Sequence, residues 1–434
     1  MKRTHHSPPS ISAEWPALPV LFSLALWFAP AGVAGESTSD WPQWGGVGRD
    51  FHAASTELAS SWPASGPRVL WRRDLGEGNS AIAAVGDRLY TMYRDDDREV
   101  VVALDRETGE TAWEVGWETP LWEGFYGEYG PGPHTTPLVA DGRLYATGIA
   151  GRLVCLDAAT GREFWHRELW AGVDLSTKEF GPAQLGYSAS PLLHDGRLVV
   201  LGGDAARGVM ALDPQSGDVL WTTEGLEPAF ASPIAIRVGD REQIVAFVAH
   251  EVAGLDPQTG AILWRAPHET SYLVNAMTPV WDGRDTLFLS SAYDSGSRAL
   301  RLSVAGGKPT VSEIWSSKRI EVHHQSAVLL GGRVYASSGD FGPAFLVVFE
   351  PDSGEVVAQE RGFAKANLLA AGERIVVLDE DGVLALATPT DDGLRIDARA
   401  DVFSTRSWAV PTLTGTTLYA RDRKEIVAFD LAGS

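Results

Sequence analysis

Residues 102–113 read Val-Ala-Leu-Asp-Arg-Glu-Thr-Gly-Glu-Thr-Ala-Trp, and versions of this stretch begin again at Val154, Met210 and Ala253. In every copy a Gly follows the Asp by four residues and a Trp follows it by eight. The marker residues are Asp105, Gly109 and Trp113; Asp157, Gly161 and Trp165; Asp213, Gly217 and Trp221; and Asp256, Gly260 and Trp264. The chain is therefore built on an internal repeat.

The residue types of the repeat indicate a β-hairpin. An Asp at the end of a strand can accept hydrogen bonds from backbone amides of the following turn, and Gly supplies the positive φ that closes such turns. Alternation after the Gly puts the Trp ring on a buried face, where it can wedge between neighbouring sheets. A helix is excluded because Gly, and Pro in two copies, interrupt every window of helical length.

A second hairpin precedes the repeat. Residues 136–145 and 190–199 each contain two short apolar runs joined through Asp-Gly, which is a strong hairpin signal. Each repeat thus carries four strands, the content of one β-propeller blade. Weaker copies begin at Ala299, Val347, Val383 and Ile426, which brings the number of predicted blades to eight.

The two ends of the repeat array are complementary. The last copy lacks a fourth strand and a Trp, whereas residues 69–75, which contain Trp71, form a fourth strand with no repeat before it. Joining them would complete the last blade and remove two open sheet edges. The sequence predicts an all-β, eight-bladed β-propeller of four-stranded blades over residues 69–434, closed by the N- and C-terminal strands and preceded by an extended segment at 36–68.

Residues 1–35 have the composition of a secretory signal. Lys2 and Arg3 precede an apolar stretch from Leu18 to Ala29, and small residues follow through Gly35. This order, with too few apolar residues to span a bilayer, predicts a cleavable signal peptide and a periplasmic or secreted protein. An uncleaved membrane anchor is the alternative.

Charge and cysteine content exclude several classes of function. Of 434 residues, 36 are Lys or Arg and 57 are Asp or Glu, a net charge of −21 with no basic patch, so nucleic acid is not an expected partner. Cys155 is the single cysteine, which excludes an intrachain disulfide and a Cys-based zinc cluster; its apolar neighbours predict a buried strand thiol. The sequence has no Walker loop, dinucleotide fingerprint or nucleophile elbow.

Candidate binding residues fall into two groups. The connections at 114–133 and 166–186 are long, and long loops on a rigid frame commonly carry binding sites. Aromatic residues of the first connection either form an exposed face for a peptide, glycan or protein, or fold back onto the blade edges: Trp117, Trp122, Tyr126 and Tyr129. Residues entering the innermost strands are predicted to line the mouth of an axial channel: Asn79, His134, Tyr187, Ser188, Asn275, His324, Gln325 and Trp408.

Metal sites are not predicted. Adjacent residues of a strand point to opposite faces, so His323 and His324 are not expected to bind one ion. The acidic runs at 95–97 and 379–382 lack the spacing of a known calcium loop. We predict no catalytic, cofactor-binding or metal-ligating residue.

The pattern Ala-x-Asp-x-x-Thr-Gly-x-x-x-Trp resembles the tryptophan-docking repeat of quinoprotein, or PQQ-like, β-propellers, and the resemblance covers about residues 41–430. The stretches Trp41-Pro-Gln-Trp-Gly-Gly46 and Tyr129-Gly-Pro-Gly-Pro133 look like those of secreted bacterial members of that superfamily. The resemblance implies one of two functions. One branch contains alcohol and sugar dehydrogenases that hold PQQ and Ca²⁺ at the propeller axis, and the other contains BamB-like assembly factors that bind proteins.

The sequence departs from both branches. One cysteine cannot form the vicinal disulfide that many dehydrogenases place over the quinone, and no lipobox cysteine of a BamB-type lipoprotein is found. We therefore predict a non-catalytic scaffold for a protein or peptide partner in the periplasm or cell envelope, with no cofactor. The alternative is a quinoprotein oxidoreductase that uses PQQ and calcium.

Overall fold

The computed structural model describes residues 40–54, 58–63, 65–173 and 181–432, together with Met1. The chain divides into two units, Met1–Glu36 and Ser37–Ser434, and every element described below lies in the second. Apart from Met1, the signal peptide predicted for residues 1–35 lies outside the described residues. Within the described ranges, no helix has the length and apolar character needed to cross a membrane.

Eight four-stranded antiparallel blades form an eight-bladed β-propeller, which confirms the predicted fold class. Strands β1 (His52–Ala53) and β2 (Arg68–Asp74) precede the first blade. Blades 1 to 4 consist of β3 (Ala83–Val85), β4 (Arg88–Asp95), β5 (Arg98–Asp105) and β6 (Thr111–Glu118); β7 (Leu138–Ala140), β8 (Arg143–Thr147), β9 (Arg152–Asp157) and β10 (Glu163–Glu168); β11 (Leu192–His194), β12 (Arg197–Leu201), β13 (Val209–Leu212) and β14 (Val219–Thr223); and β15 (Ile234–Val238), β16 (Arg241–Phe247), β17 (Glu251–Leu255) and β18 (Ile262–Pro267).

The second half of the ring repeats this organisation. Blades 5 to 8 consist of β19 (Val280–Trp281), β20 (Thr286–Ser291), β21 (Gly296–Ala305) and β22 (Lys308–Ser317); β23 (Val328–Leu330), β24 (Arg333–Ser338), β25 (Phe345–Phe349) and β26 (Val356–Glu360); β27 (Ala366–Ala371), β28 (Arg374–Asp379), β29 (Val383–Thr390) and β30 (Gly393–Asp401); and β31 (Thr412–Thr414), β32 (Thr417–Arg421) and β33 (Glu425–Asp430) with β2. The helical elements are short: one α-helical turn, α1 (Pro182–Leu185), and 3-10 turns at Gly127–Tyr129 and Ala205–Arg207 are found among the described residues.

Strand β2 closes the ring. It is the outermost strand of blade 8 and pairs antiparallel with β33, so that Trp71 lies opposite Ala428 and Arg68 opposite Asp430. The predicted closure by the two terminal strands is confirmed. The chain head supplies the strand that its tail lacks, and blade 8 is as complete as the others.

Tryptophan rings join five of the eight pairs of neighbouring blades. Trp113 of blade 1 shows the arrangement: its indole N–H donates to the Ala158 carbonyl in the last turn of blade 2, at 3.0 Å. Gly161 of the same turn, at φ 74°, lies under the ring, where an added Cβ would come within 2.6 Å of it. The other indole donors and their carbonyl acceptors are Trp71 and Arg106, Trp165 and Pro214, Trp221 and Pro257, and Trp315 and Pro351.

The acid of the repeat orders the turn on which the tryptophan ring of the preceding blade rests. Asp157 Oδ1 accepts the backbone N–H of Ala159 at 3.1 Å and of Thr160 at 2.9 Å, as well as the Thr160 hydroxyl at 2.8 Å. Trp264 departs from the pattern: its N–H donates to Gln243 Oε1 within its own blade, at 2.6 Å. The turn of blade 5 at 306–307 lacks the Asp-to-Gly motif, so the ring has no matching turn to dock on.

The core lies between blades. Val101 and Ala103 of β5 pack with Leu144 of β8 and Val154 of β9 in one buried cluster at the seam of blades 1 and 2. Cys155, also on β9, is a buried free thiol, as predicted. Burial of these apolar side chains, at about 25 cal/mol per Å², is the main force that holds the blades together.

Connections in a four-stranded blade alternate between its two ends. The turns between the first and second strands and between the third and fourth strands share one end, which we call the turn end. The turns between the second and third strands, and the connections from blade to blade, share the other end, which we call the loop end. This distinction locates the candidate site.

Residues 41–53, which we call the plug, lie against the innermost strands at the turn end. Trp41 forms a bridge with Ala84 of β3, and β1 pairs in parallel with β27, the innermost strand of blade 7. The buried Arg49 guanidinium donates to the Pro191 carbonyl at 2.8 Å and to the Ser190 carbonyl at 3.2 Å, beside β11. The plug therefore contacts blades across the ring.

Candidate functional site

A cavity of about 130 Å³ lies at the centre of the propeller. Its lining comes from the plug and from seven of the eight blade-to-blade connections, which places it on the axis. The lining residues are Trp44, Asn79, Tyr129, His134, Leu185, Ser188, Phe230, Ser232, Val274, Ala276, His323, His324 and Trp408.

The plug supplies one wall of the cavity through Trp44. The indole N–H of Trp44 donates to Thr278 Oγ1 at 2.8 Å, and its ring meets Phe51 edge to face at 5.3 Å between centroids. These contacts hold the ring in place on the plug side of the cavity.

His134 carries an unused donor in the cavity wall. Asn79 Nδ2 donates to the Tyr129 carbonyl at 2.9 Å, which fixes the orientation of the amide, and Nδ2 lies 3.2 Å from His134 Nδ1. Since an amide nitrogen can only donate, His134 Nδ1 must accept, and the proton of the neutral ring is on Nε2. Burial, followed by the charge of Arg423, lowers the pKa of His134 to about 4, so the ring is neutral near pH 7. Nε2 is buried and has no partner among the described residues.

His323 and His324 correct one of our predictions. Both line the cavity, with ring centroids 4.8 Å apart, rather than pointing to opposite faces. The alternation rule does not apply because residues 320–327 are not in a strand. Burial lowers the pKa of His324 to about 3 and that of His323 well below its usual value, so neither ring adds charge to the cavity near pH 7.

The predicted channel residues separate into two sets. Asn79, His134, Ser188, His324 and Trp408 line the cavity. The others are buried in its wall: the Tyr187 hydroxyl donates to the Leu201 carbonyl at 3.0 Å, Asn275 Nδ2 to the Val248 carbonyl at 2.7 Å, and Gln325 Nε2 lies 2.9 Å from His324 Nε2. These three side chains hold the wall in place.

The aromatic residues of the first long connection have different positions. Trp117, predicted in the connection, lies in β6, because this strand continues through Glu118. Trp122 folds back onto the ring: its N–H donates to the Ala183 carbonyl at 2.7 Å, and it meets Trp170 edge to face at 5.9 Å. Tyr126 is exposed, and Tyr129 reaches the cavity. Each of the two predicted alternatives therefore holds for part of the set: Trp122 folds back, whereas Tyr126 is exposed.

An aromatic patch that sequence reasoning missed lies at the loop end beside the cavity. The Phe341 side chain, between β24 and β25, is 81% exposed, and its ring lies 5.6 Å from that of Tyr293. Tyr293 contacts Tyr272 at 5.1 Å, and its hydroxyl lies 2.9 Å from that of Tyr129. We call Phe341, Tyr293 and Tyr272 the aromatic patch. The repeat gives no signal for it, because its residues lie in connections of unrelated sequence.

The cavity lining does not fit PQQ with Ca²⁺. It contains no Asp or Glu to coordinate a calcium ion, which prefers several carboxylate and carbonyl oxygens. Across the described part of the chain, no group of three or more His, Cys, Asp or Glu residues could hold a metal ion.

Comparisons with known proteins agree with the architecture. The family model described as "Outer membrane protein assembly factor BamB" matches residues 96–357. Among curated proteins, the quinohemoprotein alcohol dehydrogenase of Comamonas testosteroni is 28% identical over 193 residues, which are 42% of this chain and 25% of that protein. The chain therefore spans about a quarter of the length of that relative.

Two solved structures share the fold at low sequence identity. BamB from Moraxella catarrhalis superposes with a TM-score of 0.58 at 20% identity, covering 84% of this chain and 98% of that one. A europium-containing methanol dehydrogenase superposes with a TM-score of 0.68 at 13% identity, covering 91% of this chain and 98% of that one. At these identities the likeness concerns the fold alone.

Proposed function

Because the chain belongs to the family described as outer membrane protein assembly factor BamB, we propose that it is a non-catalytic scaffold that binds a protein partner in the cell envelope. The binding surface is the loop end of the propeller. The observation that carries this proposal is the exposure of Phe341 at 81% in the aromatic patch.

The physical argument rests on the cost of exposing aromatic rings. A large apolar ring held in water by a rigid frame gains free energy when a partner covers it, and aromatic residues are enriched among interface hot spots. The frame here is rigid because Tyr293 fixes the patch to Tyr129 and to the Asp340 carboxylate, which accepts the Tyr293 backbone N–H at 3.2 Å. Rigid display of the patch keeps the entropic cost of binding low.

A photo-crosslinking amino acid at position 341 tests the proposal in cells that make the protein. We expect a covalent adduct with one envelope protein when the probe replaces Phe341. The matched control is the same probe at Ser353, which is exposed in a turn at the opposite end of blade 6. Equal labelling from both positions, or no adduct from position 341, would contradict binding at the loop end.

Export from the cytoplasm is part of the same proposal. The order of basic, apolar and small residues over 1–35 supports it. N-terminal sequencing of the protein recovered from the envelope fraction is expected to give a first residue near Gly35. Recovery of the intact N-terminus from the cytoplasmic fraction would contradict it.

The second candidate function is a quinoprotein oxidoreductase, favoured by the match to the quinohemoprotein alcohol dehydrogenase. Its test is the absorbance of the purified protein after addition of PQQ and Ca²⁺, together with a dye-linked alcohol assay. Because the cavity lining has no carboxylate, we expect neither stoichiometric quinone binding nor dye reduction. Observation of both would replace the scaffold proposal.

A further inference from the structure

We propose that Glu99 is a pH-dependent switch for the loop formed by residues 119–131. While the carboxyl group of Glu99 is neutral, Arg94 holds the two ends of this loop together; when the carboxyl group ionises, Arg94 pairs with it and releases them. The loop belongs to the first long connection and carries Tyr129, which lines the axial cavity. The inference goes beyond the proposed scaffold, because it concerns the loop itself and its test requires no partner.

Arg94 joins the two ends of the loop. Its side chain is buried, and all three nitrogen atoms of its guanidinium donate to backbone carbonyl groups. Nη2 donates to the Thr119 carbonyl, Nη1 to the Pro131 carbonyl at 3.3 Å, and Nε to the Asp96 carbonyl at 2.9 Å. Because Thr119 directly follows β6 and Pro131 ends the loop, one side chain closes it.

Glu99 lies beside this guanidinium. It is paired with Arg94 across strands β4 and β5, and directly paired residues place their side chains on the same face of a sheet. Glu99 is fully buried: Oε1 accepts the Ile149 backbone N–H at 2.8 Å, and Oε2 has no partner among the described residues. A Cβ added to Gly148 would collide with Oε2, so the backbone of blade 2 covers this oxygen. The carboxyl group is thus within reach of the cation that closes the loop.

Arg94 is the cation that faces Glu99. The neighbours of Glu99 on β6 and in blade 2 are uncharged: Trp117, Gly148 and Ile149. Arg152 of blade 2 lies over the Trp117 ring at 5.8 Å, but it forms an ion pair with Glu168 at 3.0 Å. The acidic residues of the turn between β4 and β5 are exposed to solvent: Asp95, Asp96 and Asp97. A charge on Glu99 therefore acts first on Arg94.

Ionisation of Glu99 changes the bonds that Arg94 prefers. A buried carboxylate with a single hydrogen bond is costly, and an ion pair with a guanidinium is stronger than hydrogen bonds to neutral carbonyl groups. We expect Arg94 to leave the Pro131 carbonyl, its longest hydrogen bond, and to pair with Oε2. The contact of Trp122 with α1 remains, so the loop loosens without leaving the ring.

The switch operates near neutral pH. Burial raises the pKa of Glu99 to about 7, so the carboxyl group is neutral and the loop closed below this pH, and the loop is released above it. Three buried histidines near the loop do not change charge in this range, because burial lowers the pKa of each well below its usual value: His134, His323 and His324.

Amide hydrogen exchange followed by mass spectrometry tests the inference with the full-length protein. After correction for the intrinsic dependence of exchange on pH, we expect peptides from residues 119–131 to exchange severalfold faster at pH 8 than at pH 6. The reference is the hairpin of β21 and β22, which lies in blade 5 on the opposite side of the ring and contains no histidine. We expect no change in this hairpin.

Two variants fix the switch in one state or the other. Glu99→Gln stays neutral and keeps an oxygen for the Ile149 N–H, so the loop is expected to exchange slowly at both pH values. Arg94→Lys keeps the charge, but its single nitrogen cannot replace the three donors of the guanidinium, so the loop is expected to exchange rapidly at both. Glu118→Gln, at an exposed position next to the loop, is the matched control and should keep the pH dependence of the unmodified protein.

Three results would overturn the switch. The first is exchange of the loop that does not depend on pH in the unmodified protein, and the second is a pH dependence that Glu99→Gln retains. The third is equal acceleration in the β21–β22 hairpin, which would indicate a general loss of stability. Melting temperatures at both pH values verify that each variant is folded, and Glu99→Gln decides the question if Arg94→Lys does not fold. Photo-crosslinking at position 341 is independent of these results.

Discussion

At five seams the glycine of the repeat touches the tryptophan of the preceding blade. Gly161 combines two constraints: its φ of 74° is in the left-handed region, and the Trp113 ring occupies the space that a Cβ would take. The repeat therefore keeps Gly for packing between blades as well as for turn geometry. Sequence reasoning found only the second reason, because the first depends on a residue from another repeat.

Gly161→Ala separates these two constraints when compared with Gly142→Ala. Gly142 has a similar φ of 72°, but nothing lies within 4 Å of its Cβ position. Gly142→Ala is expected to lower the free energy of unfolding by about 1–2 kcal/mol, because alanine is strained in the left-handed region. Gly161→Ala is expected to lower it by about 1–3 kcal/mol more, because the added methyl group displaces the Trp113 ring. Urea unfolding measures both free energies. Equal losses would show that Trp113 does not constrain this position.

Glu99 is a buried carboxyl group at the seam of blades 1 and 2. Its Oε1 accepts the Ile149 backbone N–H at 2.8 Å, and Oε2 has no partner among the described residues. Burial raises its pKa to about 7, against a smaller opposite effect of the Ile149 hydrogen bond and the Arg94 charge. Between about pH 4.5 and 7 the folded protein therefore binds a proton that the unfolded chain releases, and the free energy of unfolding falls as pH rises.

Glu99→Gln is expected to abolish this contribution to the pH dependence. The amide stays neutral and keeps an oxygen for the Ile149 N–H, so above pH 7 the variant should be at least as stable as the unmodified protein. Thermal unfolding from pH 5 to 8 measures the difference in stability between the variant and the unmodified protein. The histidines titrate in both proteins, so their effect cancels in this difference. Glu118→Gln, on an exposed position of β6, is the control. If the melting temperatures of Glu99→Gln and the unmodified protein changed with pH in parallel, the raised pKa of Glu99 would be contradicted.

At the scale of elements, the plug depends on one buried cation. Arg49 is 4% exposed and donates to three oxygens, those of Pro191, Ser190 and Gln43. Arg49→Ala removes these bonds, each of which contributes about 1.5–3 kcal/mol when the donor is charged, and should destabilise the protein by several kcal/mol. Amide hydrogen exchange is expected to accelerate in residues 41–53 more than in β7 or β11.

The control for the plug is Arg68→Ala. Arg68 forms an ion pair with Asp430 at 2.6 Å, but its side chain is 72% exposed, so the loss is expected to be below about 1 kcal/mol. If Arg49→Ala and Arg68→Ala lowered the free energy of unfolding equally, the hydrogen bonds of Arg49 would contribute little to stability.

The difference between predicted and observed elements follows from the range of the contacts. The blades could be predicted because strand alternation, and in four copies the Asp-to-Gly turn, are local signals that recur along the chain. The plug could not, because Trp41 and Arg49 meet β3 and β11 through contacts that no repeat encodes. His323 and His324 were misplaced because the periodicity of a strand was applied to a connection. The cavity combines residues from seven blade-to-blade connections, so candidate residues could be named from the sequence but their arrangement could not be predicted.

At the scale of the whole molecule, stability depends on closure of the ring. A chain that begins at Leu75 lacks β2 and leaves the edge of β33 unpaired, with its N–H and C=O groups exposed. It also loses Trp71, whose indole donates to the Arg106 carbonyl of blade 1. We expect the free energy of unfolding to fall by at least about 3 kcal/mol and the shortened chain to associate as its concentration rises.

Adding the missing strand to the shortened chain as a separate peptide measures the effect of ring closure alone. The plug is absent from the samples with and without the peptide, so its loss does not contribute to the difference. A synthetic peptide of residues 65–75 is expected to raise the melting temperature of the shortened chain and to return it to a monomer in light scattering. The same peptide with Trp71→Ala keeps the backbone pairing with β33 but cannot dock on the blade 1 turn, so its effect should be smaller. A shortened chain that melts like the complete one, or a peptide without effect, would show that β2 is not what holds the ring closed.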